Sequence, residues 1–161
     1  MTTDALVDTS AMLEQLVAEC ASERVLLVSD QSSLTSQVLA HGGQSLTGAD
    51  SEVERLPDAR LELAIVDGEA NLSADSATTL VSRLRDVHAE RVVVIAAADE
   101  GTILSRQALI GLGFHRRGIS ADHGSRRRRW YEFDMAHYKV TPDWLNARHW
   151  ANPELWDKYR W

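Results

Sequence analysis

Acidic side chains follow three apolar runs of the sequence. Asp67 closes the run Leu61-Glu-Leu-Ala-Ile-Val-Asp67, while Asp30 and Asp99 follow two similar runs. In open parallel sheets, ligands bind beyond the carboxyl ends of the strands. Carboxylates gathered there can hold a cationic or polyhydroxyl ligand, or transfer a proton if burial raises one pKa. The candidate ligand-binding residues from this rule are Ser29, Asp30, Gln31, Asp67, Gly68 and Asp99, and the rule also selects Glu69 and Glu100 beside them. Aspartates at such positions also cap helices and tighten turns, and this structural role is the one we favour.

A second group of chemically active residues is basic. Four consecutive arginines, Arg126, Arg127, Arg128 and Arg129, precede Trp130 and Tyr131, and Arg116 and Arg117 lie a short distance before them. Guanidinium groups bind phosphate and neighbouring aromatic rings can stack on bases, so an anion or nucleic-acid site is one hypothesis. Because residues alternate along a strand, Arg127 and Arg129 should share one side with Tyr131, and Arg126 and Arg128 the other with Trp130. No surface of four arginines follows.

We favour a structural role for these arginines. Charged side chains on an edge strand discourage aggregation, and arginine stems cover apolar surface. A contact with a protein partner is a further alternative. The residue pattern predicts no metal site and no catalytic residue, because the six histidines lack ligand spacing and no nucleophile elbow or phosphate-binding loop is present.

Alternating strands and helices must position these groups. Runs at 24–30, 61–67 and 91–98 are apolar on successive residues, which is typical of parallel strands buried on both faces. Helical periodicity predicts helices over 4–21, from Ser32 or Ser33 to Gly42-Gly43, from the cap Ser73 through Val87, and from Thr102 to the glycine cap Gly113. A weak strand at 44–48 and a closing antiparallel hairpin, 114–119 with 126–134, complete an α/β sheet flanked by helices.

Length, charge and composition limit the class of protein. The 161 residues, 44% hydrophobic and 25% charged, suit one globular domain. The net charge of −7 combines −12 over residues 1–100 (6 basic, 18 acidic) with +5 over residues 101–161 (11 basic, 6 acidic). Overall acidity disfavours a dedicated nucleic-acid binder. A single cysteine, no apolar run long enough to span a membrane and no signal peptide lead us to expect a cytoplasmic protein.

The order of elements, with Leu109-Ile-Gly-Leu-Gly-Phe114 before the hairpin, resembles the Rossmann-like fold of class I S-adenosylmethionine-dependent methyltransferases. The resemblance is best over residues 61–134. From about Tyr131 to Trp161 the chain also resembles an uncharacterised family of short gammaproteobacterial proteins that carry this fold and end in a Trp-rich tail. The first resemblance implies S-adenosylmethionine as cofactor. The second resemblance implies no known activity.

The methyltransferase resemblance fails at the cofactor loop. The family's Asp-x-Gly-x-Gly-x-Gly turn aligns with Leu27-Val-Ser-Asp-Gln-Ser-Ser33, so that Leu27 replaces the acid and Ser29, Gln31 and Ser33 replace the glycines. Each change adds a side chain where the family leaves room for a nucleoside. The segment from Gly43 to Leu61 is also too short for two strands and a helix, so we expect one strand–helix unit to be missing. Asp50 either matches the family's ribose-binding acid or follows the third strand, in which case no such acid remains.

The final residues form a Trp-rich tail, 141–161, which we expect to be helical and packed on the domain of residues 1–140. Thr141-Pro-Asp and Asn152-Pro-Glu are both good helix starts. The tail contains Trp144, Trp150, Trp156 and Trp161. We favour a role in sealing apolar surface of the same domain; the alternative is a docking surface for a second subunit in a homodimer or for another protein.

Together these features predict a methyltransferase-like protein that is not catalytic and acts through binding a partner or a small ligand, with no cofactor. A divergent S-adenosylmethionine-dependent methyltransferase and a nucleic-acid accessory protein using the hairpin arginines remain the two alternatives.

Overall fold

The computed structural model describes residues 7–20, 24–49, 56, 60–97, 104–122 and 126–135. Within these residues the strands are β1 (Val7–Asp8), β2 (Val25–Val28), β3 (Gln44–Leu46), β4 (Leu61–Asp67), β5 (Ala89–Ala97), β6 (His115–Asp122) and β7 (Arg126–Asp134). These seven described strands form one sheet, in the order β1-β6-β7-β5-β4-β2-β3. Among them, β7 pairs antiparallel with both of its neighbours, and all other pairs are parallel.

Helices cover both faces of the sheet and begin at polar caps. They are α1 (Thr9–Ala18), α2 (Ser32–Ala40), α3 (Ala74–Arg83) with a π-helical turn (Leu84–His88), and α4 (Arg106–Gly111). The side chains of Asp8, Ser73 and Ser105 each accept a hydrogen bond from an amide of the first helical turn. At the end of α4, Gly113 has φ 93° and the amide of Phe114 donates to the carbonyl of Leu109. This is the predicted glycine cap.

Two cores form because successive strand residues point to opposite faces. One face packs on α1 and α2 through Leu27, Ile65 and Trp130. The other packs on α3 and α4 through Val66, Tyr131 and Phe133. The run of buried residues in β2 and β4 confirms the prediction of parallel strands covered on both sides.

The sheet confirms the predicted α/β class and the closing hairpin, but it corrects the position of that hairpin. β7 pairs with β5 on one side and with β6 on the other. The arginines of β7 therefore do not lie on an edge strand, and the prediction that they protect a sheet edge is wrong. β1, which the sequence pattern did not reveal because it has only two residues, pairs with β6 in parallel.

Two local predictions are also wrong. The N-cap of α2 is Gln31, without a side-chain cap, rather than Ser32 or Ser33. Val87 is 50% exposed, although its spacing from Leu80 and Leu84 predicts that it lies on the buried stripe of the same helix. The π-helical turn explains this, since its wider turn breaks the 3.6-residue period: the amide of Ala89 donates to the carbonyl five residues earlier, at Leu84.

The segment between β3 and β4 is short, as predicted for a missing strand–helix unit. Of residues 47–60, the structure describes 47–49, 56 and 60, and none of these lies in a helix or strand. Leu56 is buried against the α3 side of the sheet. Across the described ranges, no helix is long and apolar enough to cross a membrane.

Candidate functional site at the carboxyl ends of the strands

A network of side chains closes the carboxyl ends of β2 and β4. Ser29, directly after β2, donates from Oγ to Asp67 Oδ2 at 2.8 Å. Asp67 Oδ1 accepts a 2.8 Å hydrogen bond from Arg128 Nη1 and one of 3.0 Å from the amide of Glu69. Ser29 is 2% exposed and Asp67 1%. Both oxygens of this buried carboxylate are thus used by groups of the same chain.

Arg128 is the cation at the centre of this network. Its side chain has 0% exposure, and its Nε donates to Asp122 Oδ2 at 3.2 Å. Its Nη2 lies 2.7 Å from Glu69 Oε2, although that pair is not aligned as a hydrogen bond. The antiparallel direction of β7 explains this position, since Arg128 pairs with Ala97 at the carboxyl end of β5. We call Ser29, Asp67, Glu69, Asp122 and Arg128 the carboxyl-end cluster.

Asp30 joins two loops beside this cluster. Its Oδ1 accepts from the amide of Gly48 at 3.0 Å and its Oδ2 from the amide of Asn71 at 2.6 Å. A Cβ added at Gly48 would lie 2.5 Å from the backbone nitrogen of Asn71, so only glycine fits where the loops meet. Asp30 therefore acts as a clamp between the backbones of the two loops.

A small cleft lies next to the cluster, between the starts of α1 and α2. Its volume is 160 Å³ and its lining residues are Asp8, Thr9, Ser10, Gln31, Ser33, Leu34 and Asp122. Pockets for drug-sized ligands span about 300–1,000 Å³. This cleft is thus smaller than the pockets that usually hold a drug-sized ligand.

The family of this protein is identified by its whole sequence, not by this site alone. The sequence model of DUF6231, a family of unknown function, matches residues 7–161. The chain belongs to DUF6231. The match includes the Trp-rich tail as well as the sheet.

Solved structures with a similar fold include that of the pyocyanin biosynthetic protein PhzM. The similarity has a TM-score of 0.46 at 15% sequence identity, and it covers 74% of this DUF6231 chain and 53% of PhzM. The chain thus spans about half the length of that protein. No curated protein matches this DUF6231 sequence significantly.

The structure brings together part of the predicted ligand-binding set. Ser29 and Asp67 are in direct contact, while the amide of Gln31 donates to Ser29 Oγ at 3.1 Å. Asp30 lies beside them as a clamp, and the amide of Gly68 donates to the carbonyl of Ile95 at 2.8 Å. Asp50 and Asp99 lie outside the described residues, as do Trp144, Trp150, Trp156 and Trp161. Ligand binding by this DUF6231 chain stays a prediction.

The six predicted arginines separate into different environments. Arg128 is buried in the carboxyl-end cluster, and Arg117 hydrogen-bonds to Glu19 and Glu132. Arg116, directly opposite Tyr131, shares the α4 side of the sheet with Arg127 and Arg129. Arg116 and Arg127 are exposed and Arg129 is half-buried. The side chain of Arg126 is not among those described.

A second cluster lies at the opposite end of the sheet, where β5 and β7 meet the end of α1. Glu132 Oε1 accepts from Arg91 Nη2 at 3.2 Å, and its other oxygen accepts from Arg117. Glu19, directly after α1, accepts a hydrogen bond from Arg117 Nη2 at 2.8 Å and another from Arg91 Nη2 at 3.3 Å. We call Glu19, Arg91, Arg117 and Glu132 the amino-end cluster. Partial burial would raise the pKa of Glu19, but hydrogen bonds and charge from Arg117 and Arg91 outweigh it and lower that pKa.

The sequence pattern missed two members of the carboxyl-end cluster. Asp122 lies in the predicted hairpin turn but belongs to β6, where it pairs with Arg126. Arg128 was grouped with the other hairpin arginines, for which we favoured a protective edge and kept an anion site as an alternative, rather than with the carboxylates. The alternation of β7 gave a usable signal, because it placed Arg128 on the same side as the large apolar residue Trp130.

Proposed function

We propose that this DUF6231 protein acts by binding a partner or small ligand, without methyl transfer and without S-adenosylmethionine at the carboxyl ends of its strands. The observation that carries this proposal is the buried bridge from Ser29 through Asp67 to Arg128. The single cysteine supports a cytoplasmic location, which we include in the proposal.

The physical basis is that the polar groups at this edge are already paired. A cofactor bound here would have to displace Arg128 from Asp67 or Ser29 from the same carboxylate. Exposing or unpairing a buried ion of this kind costs several kcal/mol. The serine and glutamine side chains at positions 29, 31 and 33 further reduce the room.

Isothermal titration calorimetry of the full chain with S-adenosylmethionine tests this proposal. We expect no saturable heat, and no rise in melting temperature with excess ligand. A ligand present at about 100 times its Kd would stabilise the fold by about 2.7 kcal/mol, so thermal melting is a sensitive second readout. Micromolar affinity, or a clear rise in melting temperature, would overturn the proposal in favour of a divergent methyltransferase.

A nucleic-acid partner is a second candidate, supported by the placement of Arg116, Arg127 and Arg129 on one side of the β6–β7 pair. Within the described part of the chain, none of these three makes an ion pair. Trp130 and Tyr131 do not support base stacking, because their exposures are 0% and 2%. Binding would therefore rely on phosphate charge alone and would be independent of base sequence.

Fluorescence anisotropy with a labelled single-stranded RNA tests this second candidate. Three phosphate contacts should give a slope of log K against log salt of about −2, from roughly 0.7 per contact on single strands. Replacing Arg127 and Arg129 with glutamine should abolish binding, whereas Arg83→Gln, at an exposed position on α3, should not. RNA affinity that stays flat as salt rises would exclude this candidate.

A further inference from the structure

A cleft lined by both polar and apolar residues lies on the α4 side of the sheet, away from the carboxyl-end cluster. It has a volume of 270 Å³ and forms where the π-helical turn, the end of α4 and the end of β7 meet. The lining residues are Arg85, Asp86, Ile110, Gly111, Leu112, Gly113, Phe133 and Met135.

Two large apolar side chains at and beside this cleft are exposed. Ile110, on its rim, is 51% exposed, and Val87, on the adjoining π-helical turn, is 50% exposed. Leu112 and Met135 are half-buried and pack against the core that contains Phe133. Single exposed apolar residues are ordinary, but a group of them around a concave site indicates a binding surface.

Arg85 gives the cleft a preference for aromatic rings. Its guanidinium carbon lies 5.8 Å from the centroid of the Phe133 ring, and its Nη1 donates to the carbonyl of Leu112 at 2.7 Å. These contacts hold the guanidinium plane in place, while the side chain keeps 23% exposure. A planar guanidinium can stack on a second ring, and tryptophan is the most favourable partner.

The sequence continues from this cleft into its tryptophan-rich residues. β7 ends at Asp134, the next residue, Met135, lines the cleft, and residues 136–161 continue from there with four of the five tryptophans. A segment tethered beside its binding site has an effective concentration in the millimolar range, so modest contacts suffice to hold it. Burying a tryptophan removes about 150–250 Å² of apolar surface from water.

We propose that the Trp-rich tail of the same chain docks in the cleft formed by Arg85, Ile110, Leu112, Phe133 and Met135. This inference is independent of the proposed function. It assigns the sealing role of the tail to one place, beside α4 and the π-helical turn, rather than to the carboxyl ends of the strands.

Site-specific quenching in the full-length protein tests this docking. Two single-cysteine additions, Ile110→Cys at the rim and Leu39→Cys on α2, place a bimane label on opposite sides of the sheet at residues of almost equal exposure, 51% and 52%. The native thiol should not compete, because burial raises the pKa of Cys20. Tryptophan quenches bimane on contact. We expect several-fold weaker emission at position 110 than at position 39.

A tail variant supplies the control. Replacing Trp144, Trp150, Trp156 and Trp161 with phenylalanine should restore emission at position 110 and leave position 39 unchanged. In that variant Trp130 is the one remaining tryptophan, and its buried emission reports whether the fold is intact. Equal emission at positions 110 and 39 in the native tail background, or quenching at 110 that survives the phenylalanine tail, would overturn the proposal.

A mixing experiment separates the same chain from a second copy. Labelled Ile110→Cys protein with the phenylalanine tail is mixed with excess unlabelled native chain. Unchanged bright emission supports docking within one chain. New quenching would mean that a tail from another copy enters the cleft, which would overturn the intramolecular proposal in favour of an exchanged homodimer.

Discussion

The carboxyl-end and amino-end clusters are both built from arginine and carboxylate, yet their surroundings differ. Arg128 and Glu132 lie four residues apart on β7, on the same side of the sheet, with Trp130 between them. The Arg128 side chain is 0% exposed and Asp67 1%, whereas Arg91, Arg117 and Glu19 are 20%, 26% and 46% exposed. Water can replace a lost partner at the amino end but not at Arg128.

This difference in burial decides how much stability the protein loses when a residue of each cluster is replaced. An exposed ion pair contributes about 0–1 kcal/mol, because water screens the charges and the long side chains lose entropy. A buried pair contributes little net stability either, but removing one partner costs about 3–5 kcal/mol, because the other charge stays buried and unpaired. The carboxyl-end cluster is therefore fragile to substitution, and the amino-end cluster is tolerant.

The largest expected effect comes from Arg128→Met. Methionine fills similar space but leaves Asp67, Glu69 and Asp122 facing one another without the cation that holds them together. We expect the free energy of unfolding to fall by about 3–5 kcal/mol, measured by urea denaturation. Arg127→Met, at an exposed neighbouring position, should change it by no more than about 0.5 kcal/mol. Equal losses in the two variants would contradict the assigned burial of Arg128.

The sequence predicted the strands and several helix ends because their signals are local. The run 61–67, the Ser73 cap and the Gly113-Phe114 cap each follow from residue type and spacing alone, and each is confirmed. The role of Arg128 depends on long-range packing. Alternation assigned its side of β7, but only the pairing of β7 between β5 and β6 brings it to Asp67, 61 residues away in sequence.

The same limit explains the error about the sheet edge. A hairpin at the end of a sequence pairs in the same way whether its second strand lies at the edge or inside the sheet. Nothing in residues 115–134 distinguishes these two arrangements locally. The two-residue strand β1 is too short to show a period in the sequence. It pairs with part of β6, so the outer side of the hairpin is also partly covered.

The second prediction concerns Ser29→Ala within the carboxyl-end cluster. The change removes the hydrogen bond to Asp67 Oδ2 but keeps Arg128, so the buried carboxylate loses one of its three donors. We expect a loss of about 1–3 kcal/mol in the free energy of unfolding. Ser36→Ala, at an exposed position of α2, is the matched control and should have almost no effect. A loss no larger than that of the control would mean that water enters this site.

The third prediction moves to the amino-end cluster with Glu132→Gln. Glu132 accepts from both Arg91 and Arg117, and its side chain is 11% exposed. The amide keeps the shape and loses the charge, while the two arginines, which are 20% and 26% exposed, can turn to water or to Glu19. We expect a loss of about 1 kcal/mol in urea denaturation, smaller than that of Arg128→Met. A loss as large as that of Arg128→Met would remove the contrast between the clusters.

The smallest effect is expected for Glu19→Gln, and its dependence on pH and salt makes it informative. Arg117 and Arg91 lower the pKa of Glu19, which ordinarily lies at 4.5. A lowered folded-state pKa stabilises the fold above the unfolded-state pKa, and this contribution is lost as pH falls through the folded value. At neutral pH, the free energy of unfolding of the wild type should therefore exceed that of Glu19→Gln by up to about 1 kcal/mol. This difference should shrink and disappear as the pH falls below 4.5. It should also close near 1 M salt, where the screening length falls to about 3 Å. A difference that persists in acid or in salt would mean that packing, rather than charge, joins α1 to this end of the sheet.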